Sequence, residues 1–371
     1  MDIGVLQAGF EILACVEMDP HCCETLRSVA TRDRRKTRVV EEDIRKVDPG
    51  ALMAELGLFP GELDLLCGGP PCQSFSQIGK RGSLEDERGM LLFQMVRFAE
   101  VCKPKAVLLE QVKGVLTAPD SAGRAGGVFD LLLRHLEALG YVPKWRTLLA
   151  ADYGVAQLRQ RVFIVATLKP NGFEFPIATH VHPSRVTPLF PLPPYVSAGA
   201  ALKGLGKPAR ANGFLPEDGH VDITPEGDRR RIHGVQEGSH LARELHLPKE
   251  QRGGLTKKDT TKFLRVSRAS PSNTLRCGEI FFHPTEDRYL TPREYMRLHG
   301  YPDDYFLKGP VRGRSGRVRN LDQHRQVANS VPPPVARSIA ANIIRVLECR
   351  KFSKSSVIRS RTNHQGRTAG D

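Results

Sequence analysis

The first half of the chain alternates short apolar runs with helical patterns, and this alternation limits its fold more than any other feature. Six runs have the length and apolar content of strands: Phe10–Glu17, Arg38–Val40, Leu63–Cys67, Ala106–Glu110, Lys144–Leu149 and Val162–Thr167. Helical patterns lie between them, at Pro20–Ala30, Met90–Val101 and Val128–Leu139. Nearly continuous apolar strands separated by helices indicate an α/β fold with a mostly parallel sheet that is covered on both faces.

The composition changes near residue 172, and this change predicts further domains. The following hundred residues are rich in proline, glycine, histidine and arginine, which is typical of loops and short irregular strands. Order returns at Leu290–His299, where Thr291 and Pro292 suit the N-cap and the first position of a helix. The predicted divisions are a first domain at 1–172, a second at 173–287, a segment at 288–349 that ends in a helix over Val335–Cys349, and a basic disordered tail at 350–371.

The charge and the cysteines narrow the class of protein. The 371 residues carry a formal net charge of +14, and a strongly basic protein attracts polyanions, although such charge also serves as a solubilising surface. No apolar run reaches the ~18–20 residues that cross a bilayer, and the N-terminus has no secretory pattern. The eight cysteines form no Cys-x-x-Cys pair and no zinc pattern. We therefore expect reduced thiols, no metal site and a cytoplasmic protein.

One cysteine stands in an unusual loop. The apolar run that ends at Cys67 is followed by Gly68-Gly69-Pro70-Pro71 and then by Cys72-Gln73-Ser74-Phe75-Ser76. Ligands bind beyond the carboxyl ends of the strands in parallel α/β sheets, so Cys72 is predicted on a stiff loop at the functional edge. A turn with an incidental cysteine is the alternative for a Pro-Cys pair alone, but it explains the whole segment poorly.

This segment resembles the catalytic loop of the DNA (cytosine-5)-methyltransferases. The resemblance implies an S-adenosylmethionine-dependent, Rossmann-like methyltransferase fold in which Cys72 attacks C6 of the target cytosine. Addition of a thiolate at C6 makes C5 enamine-like, so that C5 can accept the methyl group from S-adenosylmethionine. Loss of the C5 proton then expels the thiolate, which is covalent catalysis.

Two further segments resemble catalytic motifs of the same family. Glu110 ends an apolar run and corresponds to the family's Glu-Asn-Val motif, which implies that it protonates N3 of cytosine. Gln111 replaces the asparagine, so the amide that braces the catalytic loop is one methylene longer here. Gln157, Arg159 and Arg161 match the family's Gln-x-Arg-x-Arg pattern, and alternation along an extended segment places them on one face. The resemblance implies that the arginines hold phosphate, the base carbonyl and the closed loop.

The resemblance also assigns residues to the cofactor. Glu17 follows the first apolar run, where an acid accepts both ribose hydroxyls, and Met18 is expected to pack on the adenine. Asp43 is expected to accept from the adenine amino group, and Asn329 and Ser330 to contact the methionine end. Ala328 stands where the family has glycine, with a penalty if that position needs positive φ. The remaining residues assigned to the cofactor are Ile44, Gly69, Pro71 and Leu91.

The chain departs from the family pattern at its start. Members of the family open with a strand and a Phe-x-Gly-x-Gly loop that cradles the cofactor, whereas Met1–Phe10 aligns with the helix after that loop. We expect that the chain begins at an internal methionine and that the missing strand and loop are encoded upstream. Apart from this, the resemblance covers residues 1–172 and 288–345, with the motifs in the family's order.

The region at 173–287 lies where the family has its target-recognition domain. Its basic clusters, Arg229–Arg231 and Lys257–Lys258, suit contacts with phosphate. The resemblance thus predicts a monomeric, nucleoid-associated enzyme that flips one cytosine out of a specific site in duplex DNA, with a companion restriction endonuclease left open and no membrane. Two alternatives remain: a catalytically silent DNA-binding relative, which the absent cofactor loop favours, and a tRNA cytosine-5 methyltransferase, against which the long basic insertion speaks.

Overall fold

The computed structural model describes residues 1–70, 91–168, 172–188, 191–210, 216–243, 248, 263–312 and 320–362, the last of these with side chains to residue 348. Its first half alternates helices and strands as the sequence predicts. The elements are α1 (Asp2–Gln7), β1 (Ala14–Glu17), α2 (Pro20–Arg32), β2 (Arg38–Glu41), α3 (Pro49–Glu55), β3 (Leu65–Gly68), α4 (Leu91–Cys102), β4 (Ala106–Gln111), α5 (Gly127–Ala138), β5 (Tyr141–Leu149), β6 (Gln157–Leu158) and β7 (Gln160–Leu168).

The second half contains short elements and one long C-terminal helix. They are α6 (Ala198–Leu202), β8 (Ala209–Arg210), β9 (Val221–Asp222), α7 (Glu226–Ile232), β10 (Ser272–Asn273), α8 (Pro292–His299), α9 (Gln323–Asn329) and α10 (Pro333–Thr362). The irregular character expected from the proline- and glycine-rich composition is therefore present, since the strands here are two residues long.

The described strands of the first half, apart from β6, form two sheets. β1 pairs in parallel with β2, and a four-stranded sheet has the order β3-β4-β7-β5. In the second sheet β3 and β4 are parallel, whereas β7 runs antiparallel to both of its neighbours. Every residue of β1 and β3 is only half-buried, while every residue of β4 is buried. The most enclosed strand is thus the one that ends in Glu110.

Helices cover both faces of the four-stranded sheet. On one face, α4 and α5 bury Phe93, Val128 and Leu132 against alternate residues of β4 and β7. On the other face, the apolar side of α10, including Ile339 and Ile343, packs against the remaining residues of the same strands. α1 lies along α10 so closely that a Cβ on Gly4 would lie 2.4 Å from the carbonyl oxygen of Pro333. The C-terminal helix therefore completes the core of the first half.

Another apolar cluster organises the second half. It contains residues from 198 to 307, among them Phe281, Phe282 and Tyr295, together with two residues of α9 and with Val29 and Ala156 of the first half. Long strands are absent from the described part of this region, so its loops are not connected by a large sheet. A buried arginine connects them. Arg265 donates to the carbonyl oxygens of Ile232 and Glu286 and forms an ion pair of 2.6 Å with Asp287. The two bonds to carbonyl oxygens satisfy backbone groups that a sheet would otherwise pair.

The residues just after the predicted boundary at residue 172 pack against the C-terminal helix. Phe173 and Phe175 are buried in the core beneath α10, and the carbonyl oxygen of Glu174 accepts from Asn342 at 2.9 Å. The proline-rich composition concealed this extension, because two apolar side chains in an irregular segment produce no periodicity. Residues 173–175 therefore pack with the first half of the chain.

The helix ends are partly as predicted. Thr291 caps α8 in a capping box with Glu294, and Pro292 occupies its first turn, as expected. α10 was expected to end at Cys349 before a disordered tail, but its backbone is helical to Thr362. Extending an existing helix fixes only one residue for each added hydrogen bond, so a polar sequence without proline can continue it. Within the part of the chain that the structure describes, no helix combines the length and the apolar character that crossing a membrane requires.

Candidate active site

The site lies where β3, β4 and β7 meet. β3 and β4 are parallel, so Gly68 and Glu110 come to the same edge of the sheet. β7 is antiparallel to β4, with Val162 opposite Gln111, so the start of β7 brings Arg161 to this edge as well. A Cβ on Gly69 would lie 3.1 Å from Oε2 of Glu110. Glycine is thus the residue that lets the loop after β3 pass directly over the carboxyl group.

Glu110 is held in a state suited to giving up a proton. Burial raises the pKa of its carboxyl group, and the opposing charges of Arg161 and Arg159 reduce the shift without cancelling it. Nε of Arg161 lies 2.9 Å from Oε1 of Glu110. This close ion pair offsets part of the effect of burial on the carboxyl group.

Gln111 braces the loop that leads towards Cys72. Its side chain is buried, and Nε2 donates to the carbonyl oxygen of Pro70 at 2.7 Å. The extra methylene relative to asparagine therefore still permits a bond to the loop. The loop beyond Pro70, with Pro71 and Cys72, lies outside the described residues.

Replacing Gln111 with methionine should slow methyl transfer by roughly ten- to a hundredfold, the scale on which a misplacement of about 1 Å acts. Methionine fills the same volume but cannot donate to Pro70. The change is best measured as the single-turnover rate, with thermal unfolding as the control for folding. A rate equal to that of the wild type would show that this bond does not position the loop.

The segment of Gln157, Arg159 and Arg161 alternates between the interior and the solvent. Gln157 and Arg159 are buried and Arg161 is half-buried, while Leu158 and Gln160 are exposed. Nη2 of Arg159 donates to the carbonyl oxygens of Ala328 and Ser330 at 2.9 and 3.1 Å. Its Nε and Nη1 atoms have no hydrogen-bond partner among the described residues. Arg159 thus keeps donors for a group that comes from elsewhere.

Gln157 is used within the protein. Its Oε1 accepts from the backbone N–H of Leu275 at 3.2 Å, and its Nε2 lies 2.9 Å from Nδ1 of His299. β6 also pairs in parallel with β10 at this point. Gln157 therefore connects the first half to residues 272–275. It lies on the same face as Arg159 and Arg161, but its amide bonds to Leu275 and His299.

The predicted ribose-binding acid lies at the end of β1. Oε1 of Glu17 accepts from the backbone N–H groups of Met18 and Asp19 at 2.8 and 2.9 Å. No described residue donates to its Oε2 atom, and burial raises the pKa of the carboxyl group. Met18 beside it is 63% exposed. A half-buried carboxylate with one unused oxygen next to an exposed apolar side chain suits a nucleoside.

The next cofactor residues lie beyond β2 and at the start of α4. Both carboxyl oxygens of Asp43 accept from Arg45, and these bonds lower the pKa of Asp43 to about 2. A carboxylate has further lone pairs, so one remains able to accept from an amino group. The side chain of Ile44 packs beside Val47 and Phe98, and Leu91 is half-buried at the first position of α4.

The last motif reaches the same edge through α9. Asp19 caps α2 and also accepts from the backbone N–H of Leu321 at 2.6 Å, which ties the start of α9 to the end of β1. Asn329 ends α9 and is exposed, and its Oδ1 accepts from the thiol of Cys277 at 2.7 Å. Ala328 lies inside α9 without a positive φ, so the expected penalty for replacing glycine does not arise.

The described cysteines are free thiols that are poorly suited to attack a base. Burial raises the pKa of every one of them, namely Cys15, Cys22, Cys23, Cys67, Cys102 and Cys277. Because the thiolate is the reactive form, none of these six is a good nucleophile at neutral pH. Of the eight cysteines, this leaves Cys72 and Cys349, which lie outside the described side chains.

Sequence reasoning missed three residues that contact the site. His299, Leu275 and Cys277 each bond to a predicted site residue. The sequence motifs assign no role to His299, and Leu275 and Cys277 belong to the region expected to contact DNA. Their bonds connect residues that are more than 50 positions apart, so local sequence patterns contain no signal for them.

Comparisons with known proteins identify a family and several relatives of this chain. A family model described as C-5 cytosine-specific DNA methylase matches residues 1–345. The Type II methyltransferase M.PspPI of Psychrobacter sp. is 32% identical over 353 residues, which cover 93% of this chain and 76% of the relative. The Type II methyltransferase M.NgoFVII of Neisseria gonorrhoeae is 30% identical over 350 residues, which cover 93% and 83%.

Two solved structures share the fold. One is a prophage-encoded E. coli protein solved under the name DNA modification methyltransferase, with a TM-score of 0.66, 20% identity, and coverage of 93% of this chain and 95% of that one. The other is a mutant of Spodoptera frugiperda DNMT2, with a TM-score of 0.55, 15% identity, and coverage of 92% and 96%. At these identities the likeness concerns the fold alone.

Proposed function

This chain belongs to the family of C-5 cytosine-specific DNA methylases, and we propose that it transfers a methyl group from S-adenosylmethionine to C5 of a cytosine flipped out of duplex DNA. The observation that carries the proposal is the environment of Glu110. This acid is buried, has a raised pKa, lies directly beneath Gly69 and is flanked by two arginines. Such a group can donate a proton to a base while the positive charges stabilise the carboxylate that remains.

The reaction begins with attack on the base. The thiolate of Cys72 forms a bond to C6, and the electron pair moves towards N3, where the proton of Glu110 is accepted. S-adenosylmethionine supplies an electrophilic methyl group, which C5 accepts. Loss of the C5 proton to a base from the solvent would then form the C5–C6 double bond and expel the thiolate, and N3 would return its proton to Glu110. Cys72 and Glu110 both leave the reaction unchanged. Nε and Nη1 of Arg159 are donors that suit the base carbonyl or a phosphate.

The residues at the cofactor edge fit S-adenosylmethionine. Glu17 offers an unused carboxylate oxygen for the ribose, and exposed Met18 offers apolar surface for the adenine. Asp43 and Asn329 bring further polar groups to the ends of β2 and α9. Ile44, Leu91, Ser330, Gly69 and Pro71 complete the proposed set.

A direct test incubates the protein with methyl-labelled S-adenosylmethionine and mixed-sequence duplex DNA, followed by digestion to nucleosides. Labelled 5-methylcytosine is the expected product. Transfer to tRNA in place of duplex DNA would identify a tRNA methyltransferase instead. Calorimetric titration that detects DNA binding but no cofactor binding would identify a catalytically silent relative.

We further propose that residues 173–287 select the DNA sequence. Exchanging residues 196–271 for the matching region of the Psychrobacter relative should change which cytosine is methylated, as bisulfite sequencing can measure. The exchange starts after Tyr195, whose hydroxyl donates to Asp152, and stops before Ser272, which pairs with β6. These limits keep the hydrogen bond of Tyr195 and the pairing of Ser272 with β6. Unchanged specificity in an active hybrid would refute the assignment.

We also propose that the protein is a monomer and that it associates with the nucleoid. Both relatives described above are named Type II methyltransferases, which makes a companion restriction endonuclease the partner to look for. Sedimentation with and without DNA measures the oligomeric state. Survival of a host that carries the endonuclease gene only when this chain is expressed would establish the pairing.

A further inference from the structure

The imidazole of His299 lies at the centre of a buried hydrogen-bonded chain. The residue is the last of α8 and is completely buried. Its Nδ1 atom lies 2.9 Å from Nε2 of Gln157, and its Nε2 atom lies 3.1 Å from the carbonyl oxygen of Ser330. The proposed mechanism makes no use of this side chain.

The neighbours of His299 determine which of its two ring nitrogens carries the proton. The backbone N–H of Leu275 can only donate, so the atom of Gln157 that it contacts must be oxygen and the other atom must be the NH₂ group. That NH₂ group donates to Nδ1 of His299, which is therefore an acceptor. The proton must be on Nε2, which donates to Ser330. Burial and the charge of Arg159 lower the pKa of His299, which keeps the ring in this neutral form.

The same carbonyl group also holds Arg159. The oxygen of Ser330 accepts from Nε2 of His299 and from Nη2 of Arg159, both at 3.1 Å. A second bond joins Nη2 to the oxygen of Ala328. Asn329 lies between these two carbonyl groups in the chain. The short turn at Ala328–Ser330 therefore carries Asn329, a proposed cofactor residue, and its carbonyl groups hold Arg159. His299 holds this turn through the carbonyl group of Ser330.

We propose that His299 is a positioning residue for methyl transfer, holding Gln157 and the Ser330 carbonyl in the arrangement that leaves Nε and Nη1 of Arg159 unpaired for the substrate. The inference rests on the proposed function. It joins three parts of the chain that must act together: Leu275 in the recognition region, Arg159 at the catalytic edge, and the turn of Asn329 and Ser330. The chain of bonds is continuous and buried, so water does not replace a lost member easily.

The test compares two substitutions of His299. His299→Leu removes both bonds and should lower the single-turnover rate at saturating DNA and cofactor by roughly a hundredfold, as expected when a catalytic group is misplaced by about 1 Å. His299→Gln keeps one acceptor and one donor on a planar group and should stay within about threefold of the wild type. A rate for His299→Leu that matches the wild type, or an equal loss in both variants, would overturn the proposal.

A matched control separates positioning from general stability. His324 is also buried, and its ring nitrogens contact the carbonyl oxygens of Val311 and Leu290 at 2.9 and 2.8 Å. His324→Leu should lower the unfolding temperature but leave the rate per folded molecule unchanged. If both leucine variants lose the same rate at matched folded concentration, the effect of His299 is general packing and the proposal fails.

A double-mutant cycle tests the route through Arg159. If His299 acts by holding this arginine, His299→Leu should cost little in a protein that already carries Arg159→Ala. Independent, multiplicative losses would overturn the route. The wild type serves as the reference for the function itself: failure of the wild type to form 5-methylcytosine refutes the proposed function, whereas an active wild type with multiplicative losses refutes only the role of His299.

Discussion

Replacing Cys72 with serine is expected to abolish methyl transfer while leaving the fold, cofactor binding and sequence-specific DNA binding intact. A serine hydroxyl is almost wholly protonated at neutral pH and adds to C6 far less readily than a thiolate does. Without that addition C5 is not enamine-like and does not accept the methyl group. Transfer of labelled methyl to DNA measures the loss, and calorimetry with the cofactor and gel-shift assays with DNA measure what remains.

Cys22→Ser is the matched control for this experiment. Cys22 is half-buried in α2, and burial raises the pKa of its thiol, so it does not supply a thiolate. The same loss of a sulfur atom should therefore leave the rate close to that of the wild type. Turnover by Cys72→Ser at a rate close to that of the control would remove Cys72 from the mechanism.

Glu110→Gln should lower the chemical step by about 10²–10⁴-fold, the range that a positioned acid contributes. Glutamine keeps the shape of the side chain beside Gly69 but has no acidic proton to give to N3. The measurement is the single-turnover rate with DNA and cofactor in excess. Glu174→Gln, which changes an exposed carboxylate paired with Lys144, should leave the rate unaltered. A fully active Glu110→Gln protein would contradict the assignment.

The raised pKa of Glu110 adds a dependence on pH. The proton donor is the protonated form, so the step should slow as pH rises through the raised pKa of the folded protein. The free energy of unfolding should also fall as pH rises. A carboxyl group whose pKa is raised by folding stabilises the folded state most below its unfolded pKa, and this contribution is lost as pH rises through the folded pKa. Both trends should be absent in Glu110→Gln.

Local patterns in the sequence predicted much of the fold and several parts of the site. The apolar run before Glu110 predicts a buried strand with an acid at its end, and the structure has β4 there. Thr291 and Pro292 predict the start of α8 because capping depends on adjacent residues. The alternation at Gln157, Arg159 and Arg161 predicts one shared face, which the burial pattern supports. These features involve neighbours along the chain.

Features that depend on distant pairing were not predictable in this way. β7 runs antiparallel to β4 and β5, and this direction brings Arg161 to Glu110. It depends on the pairing of β7 with both strands, of which β4 is distant in the sequence. The hydrogen-bond partners of the Gln157 amide, Leu275 and His299, are each more than 100 residues away in the sequence. The division of the described strands into four sheets likewise depends on which strand edges meet in space.

Covalent trapping tests the central claim most directly. In duplex DNA that carries 5-fluorocytosine, fluorine replaces the C5 proton, so the last elimination cannot occur and the bond from sulfur to C6 persists. With S-adenosylmethionine present, the wild type should form an adduct that survives denaturation, and peptide mass spectrometry should place it on Cys72. Absence of the adduct from a wild type that methylates ordinary DNA, or its persistence in Cys72→Ala, would contradict the account.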